Sequence, residues 1–244
     1  DTTAAGIALM ADLKERFEAS LERAAINGDE RAAQIDTLSL DLARINATDA
    51  AAAVIDRTIL KPAIAAIDAQ FKDQPVVDAM LRYTLASVYE SIGLYEDATP
   101  LLESSLEARR RVLGDEHPDT LATLNDAGAM LFMRGQTAEA EDYLVRAREA
   151  RARTLGPDHP DAIESLGNVG TLLRRQGKLA EAESHYRETL ERYRRVLGDD
   201  HYDTLRSINN MGFILQERGD YAAAEILYRE ALDRQRRVLG EDHP

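Results

Sequence analysis

The stretch Leu113-Gly-Asp-Glu-His-Pro-Asp-Thr120 constrains this chain more than any other, because it returns at a fixed step. It reappears as Leu155-Gly-Pro-Asp-His-Pro-Asp-Ala162 and as Leu197-Gly-Asp-Asp-His-Tyr-Asp-Thr204, each copy 42 residues after the last. Its opening residues appear once more as Leu239-Gly-Glu-Asp-His-Pro244. A fixed period of roughly 20–50 residues marks an array in which each unit stacks on its neighbours. The local chemistry says what the stretch does. Glycine can take the left-handed conformation that ends a helix, and a proline followed by an acidic residue suits the first turn of the next. Each copy is therefore predicted to be a hinge between two helices.

The 244 residues are 44% apolar and 30% charged, enough for a sizeable core and too charged for a membrane protein. No apolar run approaches the roughly 20 residues of a spanning helix, and no basic-then-apolar leader opens the sequence. We expect a cytoplasmic protein with no membrane partner. Cysteine is absent, which excludes disulfides and thiolate metal sites. A net charge of −14 would repel nucleic acid over most of the surface, so no nucleic-acid partner is expected. The acid excess is read as solubility. Because the chain starts at Asp1 and stops within a hinge, a fragment of a longer protein is expected.

Residues 1–73 do not carry the period and read as a helical N-terminal extension that caps the array. Ile7, Leu9, Met10, Leu13, Phe17, Leu21 and Ala24 predict one amphipathic helix over 7–26, and a second is predicted over 30–45. A third covers 49–71, where Pro62 predicts a kink or two shorter helices meeting at Lys61. Residues 74–244 carry the repeats. Alignment on 42 brings Gly93, Gly135, Gly177 and Gly219 into one column and Ala98, Ala140, Ala182 and Ala224 into another. Leu102, Leu144, Tyr186 and Tyr228 form a third column, and Ala86, Gly128, Gly170 and Gly212 a fourth. Small residues at such spacing allow close helix approach. Four antiparallel pairs follow, at about 76–113, 119–155, 161–197 and 203–239, ending in the start of a fifth hinge. In each, a first helix A precedes a longer helix B.

The run Leu124-Asn-Asp-Ala-Gly128, then Arg134-Gly135, then Ala138-Glu-Ala-Glu141 and the hinge itself resemble the tetratricopeptide repeat. The 42-residue period is similar to the kinesin-light-chain type, and the resemblance covers 74–244. The segment from Gln74 to Tyr95 also resembles the first repeat behind many bacterial serine/threonine kinase domains. The resemblance implies an all-α, right-handed α-solenoid with helix A on its concave side.

Metal binding and catalysis both need groups gathered at one point, and the repeat spacing works against that. His117, His159, His201 and His243 recur at the period, but zinc needs its ligands around one ion, and stacked repeats hold these residues about a helix diameter apart. No metal site is predicted, and the histidines are assigned to their own hinges. Arginine clusters close the B helices, at Arg109–Arg111, Arg151 and Arg153, Arg194–Arg195 and Arg236–Arg237. They suit either an acidic ligand or, by preference, the helix dipole. No phosphate loop, nucleophile elbow or metalloprotease motif is present, so neither catalysis nor a cofactor is expected.

Helix A brings Asn125, Asn168, Asn209 and Asn210 to one place, although asparagine is a mediocre helix former. An amide can both donate to and accept from an extended peptide backbone. In kinesin-light-chain-like repeats, asparagines so placed hold the main chain of a bound peptide. Hydrogen bonds between neighbouring helices are the alternative. Arg174, Arg175 and Arg206, with Phe132, Met133 and Phe213, are expected on the same face. The expected function is a non-catalytic scaffold whose concave groove binds a protein segment with acidic and hydrophobic residues. Two rivals are a spacer, or a self-associating module acting through exposed repeat ends, that positions an enzyme domain outside these residues. An N-terminal lid over the groove is a third.

Overall fold

The computed structural model describes residues 47–239, together with 32–37 and the single positions 11, 14, 15 and 18. Apart from those positions, the helices expected over 7–26 and 30–45 lie outside the described residues, as does His243 with its hinge. The described chain is helical throughout, with short turns and no strand among the described residues. It divides into two compact units, Asp1–Leu94 and Tyr95–Pro244.

In the first unit, helix α1 (Ala47–Ile55) runs through a π-helical turn (Asp56–Leu60) into α2 (Lys61–Gln70), and α3 (Pro75–Ser91) follows. Two shorter α-helices are present as predicted, the second beginning at Lys61, and a widened turn joins them. Pro62 has no N–H, and its ring crowds the carbonyl one turn back. The π register, in which Lys61 N–H donates to Asp56 O, absorbs the misfit just before the proline without leaving helical geometry. The same turn buries Asp56, which accepts from Lys61 Nζ at 2.6 Å and from Tyr89 Oη of α3 at 2.6 Å. Burial raises the Asp56 carboxyl pKa, but these hydrogen bonds and the Lys61 charge outweigh it and hold the group below its ordinary value.

The second unit contains α4 (Tyr95–Leu113), α5 (Pro118–Met133), α6 (Thr137–Thr154), α7 (Pro160–Arg175), α8 (Leu179–Leu197), α9 (Tyr202–Glu217) and α10 (Tyr221–Leu239). The expected first pair falls across the division, with α3 in one unit and α4 in the other. The hinges are built as their residues suggest. Gly114, Gly156 and Gly198 take φ of +93°, +91° and +83°, where a side chain is strained. His117, His159 and His201 are then the N-caps of α5, α7 and α9. Each Nδ1 accepts from the N–H two residues on, at 3.2 Å in all three. Proline occupies the first turn of α5 and α7, where a missing N–H costs nothing.

Within the pairs α5/α6, α7/α8 and α9/α10, the glycine column sets the spacing. A Cβ on Gly128 would stand 2.9 Å from Leu144 Cγ, and one on Gly212 would stand 2.8 Å from Tyr228 Cε1. Ala140, Ala182 and Ala224 are buried alongside. Leu131, Leu144, Val169, Leu172, Tyr186, Leu190, Leu205, Ile208 and Ile214 form one core running through all three pairs.

Between pairs a second device operates. Arg109 of α4 is buried and donates to Asp119 O and Thr123 Oγ1 of α5, both at 2.8 Å. One period on, Arg151 of α6 donates to Asp161 O at 2.9 Å and Ser165 Oγ at 2.8 Å, and pairs with Glu164 at 3.1 Å. These two arginines, assigned above to the helix dipole, anchor the next A helix instead. Others reach back to the preceding hinge, as Arg153 does to Glu116 at 2.7 Å and Arg234 to Asp199 and Asp200 at 3.2 and 3.0 Å.

Two substitutions test these devices by urea unfolding. Gly212→Ala forces Tyr228 to move and is expected to cost about 1–3 kcal/mol, the range for overpacking. Arg151→Met strips donors from Asp161 O and Ser165 and is expected to cost about 3 kcal/mol, as when one partner of a buried pair is removed.

Candidate peptide groove

The hinge geometry sets α5, α7 and α9 side by side, so residues 42 apart form rows across them. One row is Asn125, Gly167 and Asn209; the next is Asp126, Asn168 and Asn210. Ala122, Glu164 and Arg206 form another, and Phe132, Arg174 and Gln216 a fourth.

The α5/α7 junction is closed. Asn125 is only 1% exposed, and its Oδ1 accepts from Ser165 Oγ at 3.0 Å and from Asn168 Nδ2 at 3.1 Å. Its Nδ2 donates to Asp126 Oδ1 at 3.1 Å. Asn125 therefore ties α5 to α7 and does not face an open groove. Asn168 is half-buried and shares that bond.

The α7/α9 junction is open. One pocket of about 190 Å³ lies among Glu164, Gly167 and Asn168 of α7, Tyr193 of α8, and Arg206 and Asn210 of α9. A second, of about 330 Å³, lies among Arg174, Tyr186, Asn209, Phe213 and Tyr228. Both include Thr171 and Asn210, so the two form one cleft. Asn209 is exposed, and neither its side chain nor that of Asn210 makes a hydrogen bond within the described residues.

The arginines are not free. Arg174 lies over the Phe213 ring at 4.7 Å and pairs with Glu217 at 2.9 Å. Arg175 lies over Phe132 at 5.5 Å, so adjacent arginines of α7 grip an aromatic on each neighbouring A helix. Arg206 pairs with Asp203 at 3.1 Å. The structure thus brings Asn168, Asn209, Asn210, Arg174, Arg206 and Phe213 around one cleft, and leaves Asn125, Phe132 and Arg175 at the neighbouring junction.

Sequence reasoning missed the walls supplied by the B helices: Tyr186, Thr189, Tyr193 and Tyr228. The signal was present in the column Arg109, Arg151, Tyr193, where the buried anchor gives way to a phenol. Burial, with the charges of Asp203 and Glu164, pushes the Tyr193 pKa far up, and the phenol stays protonated. Among the described residues no cluster of His, Cys, Asp and Glu could hold a metal ion, and no helix is long and apolar enough to cross a membrane.

A family model for the tetratricopeptide repeat matches residues 77–152, 128–195 and 164–237. The chain belongs to the tetratricopeptide repeat family. Its repeats form an all-helical solenoid, and solved structures share the fold. BtubC (BKLC) from P. vanneervenii is 18% identical at a TM-score of 0.64, the match covering 98% of this chain and 94% of that one. A putative kinesin light chain with nearly identical TPR-like repeats, from Podosopora anserina, is 18% identical at 0.56 over 96% of both chains. RapI in its apo form is 14% identical at 0.62, over 75% of this chain and 67% of that one. No curated protein sequence matches.

Glu164 gives this tetratricopeptide cleft a pH signature. Burial raises its pKa, Arg151 opposes that, and Asp126 adds to it, leaving the carboxyl above its ordinary value. The folded state then holds the proton more tightly than the unfolded chain. Ionised Glu164 therefore costs stability, and the cost appears as pH rises from the ordinary glutamate value through the raised one. Urea unfolding across that window is expected to show a smaller fall in stability with rising pH for Glu164→Gln than for the wild type.

Proposed function

We propose that the cleft between α7 and α9 binds an extended segment of a partner protein, and that the array acts as a non-catalytic scaffold. The observation that carries this is Asn209 beside Asn210, two amides at the rim of paired pockets with no partner within the described residues. Helix-borne amides in that state suit the alternating N–H and C=O groups of an extended backbone. The aromatic pocket beneath them suits an apolar side chain. Arg174 and Arg206 already have carboxylate partners, and an acidic residue on the ligand would bind in the larger pocket by displacing Glu217 from Arg174.

Peptides selected from a random display library against the wild type test this directly. Asn209→Ala with Asn210→Ala, at unchanged helicity, is expected to weaken their binding by about 1–3 kcal/mol, the sum of two modest hydrogen bonds. Equal binding by both proteins contradicts the reading.

A second reading rests on α10. Tyr221, Ile226, Leu232 and Val238 are exposed, and Tyr221 and Leu232 border a pocket of about 300 Å³ with Tyr228. The apolar patch of Tyr221 and Leu232 supports self-association, in a module that spaces an enzyme domain such as a kinase. Light scattering is then expected to show a mass that rises with concentration and falls back to the monomer in Leu232→Glu.

A further inference from the structure

Gly167 is a helix-interior glycine that packing does not demand. A Cβ on Gly128, Gly170 or Gly212 would come within 2.9, 3.1 and 2.8 Å of the paired helix. A Cβ on Gly167 would meet Thr189 Cγ2 at 3.4 Å and Thr189 Oγ1 at 3.6 Å, which is ordinary van der Waals contact. Glycine is a poor helix former, so its presence here needs another reason.

One period earlier the same row holds Asn125. Its amide sits in a complete cradle, accepting from Ser165 and Asn168 and donating to Asp126. One period later the cradle recurs, with Ser207 for Ser165, Asn210 for Asn168 and Asn168 for Asp126. The amide at its centre is missing, because residue 167 has no side chain. Ser207 Oγ turns back to Thr204 O at 2.8 Å. The Asn210 side chain has no hydrogen bond within the described residues, and Asn168 Oδ1 accepts none there. The vacated space is the pocket of about 190 Å³.

We propose that the Gly167 pocket is a carboxamide subsite. An asparagine or glutamine side chain of the bound segment sits there as Asn125 sits one repeat earlier. This rests on the groove reading above. The incoming carbonyl accepts from Asn210 Nδ2 and from Ser207 Oγ, which turns from Thr204 O to reach it, and the incoming NH₂ donates to Asn168 Oδ1. A carboxylate is disfavoured, because Glu164 and Asp203 line the pocket and the cation among its lining residues, Arg206, is paired with Asp203. An aliphatic side chain would dehydrate the Asn210 amide and Asn168 Oδ1 without pairing them.

The test sorts a library of random displayed peptides on the wild type, on Gly167→Ala and on Gly167→Asn. A selected peptide is then remade with its amide residue changed to Asp and to Leu. The wild type is expected to enrich Asn or Gln at one position, and Gly167→Ala, whose Cβ stands where the incoming side chain's own carbon would lie, is expected to lose that preference. The Asp and Leu peptides are expected to bind the wild type about tenfold or more weakly, the loss of paired polar groups. Gly167→Asn fills the cradle from within, so it is expected to melt no lower than the wild type and to show no amide preference. Peptides enriched on the wild type without an amide preference, or bound with the same preference by Gly167→Ala or Gly167→Asn, overturn the subsite and leave the groove standing. Unfolding of Gly167→Asn overturns the subsite as well, since the cradle would then not accept an asparagine. If no peptide is enriched on the wild type, the groove reading falls and takes the subsite with it.

Discussion

Two helices of a pair can approach only as closely as the side chains between them allow. In α5/α6, α7/α8 and α9/α10 that limit is set where Leu144, Tyr186 and Tyr228 lie against Gly128, Gly170 and Gly212. The contact fixes the thickness of each pair. The thickness fixes how far apart the hinges stand and hence how successive A helices line up. Every row of the cleft, from Ala122–Glu164–Arg206 to Phe132–Arg174–Gln216, depends on that alignment.

Stacking of pair on pair adds a polar device to the apolar core. Buried Arg109 and Arg151 each thread between helices and satisfy a main-chain carbonyl and a hydroxyl of the next A helix. Where this device and the Asn125 amide are both present, the junction is filled. Where Tyr193 and Gly167 stand in their places, it opens into a pocket. The cleft is thus a local departure from the repeat and not a property of the repeat itself. The α7/α9 junction lacks the side chains that fill the α5/α7 junction one period earlier.

Much of the fold was legible in the sequence. The helix boundaries of the second unit fall within about a residue of those the hinges predict, because glycine, histidine and proline act on their own neighbours. Pro62 was legible only as a disturbance. Whether it kinks a helix or widens one turn depends on the buried Asp56 and its partners Lys61 and Tyr89, which sequence spacing does not reveal. The candidate site was less legible. Asn125 and Asn210 look alike in the sequence, yet one is sealed between helices and the other is open, according to what stands opposite each.

The sequence by itself determined the period, the hinge chemistry, the helical class and the face on which the asparagines fall. All of these follow from interactions reaching no further than a few residues along the chain. Only the tertiary structure decided which amides are spent on holding helices together, which arginines already have carboxylates, and which junction stays open. Those outcomes depend on side chains about 40 residues apart meeting across a packed interface, as Asn125 meets Ser165 and Asn168. There, one missing side chain separates a filled core from a pocket.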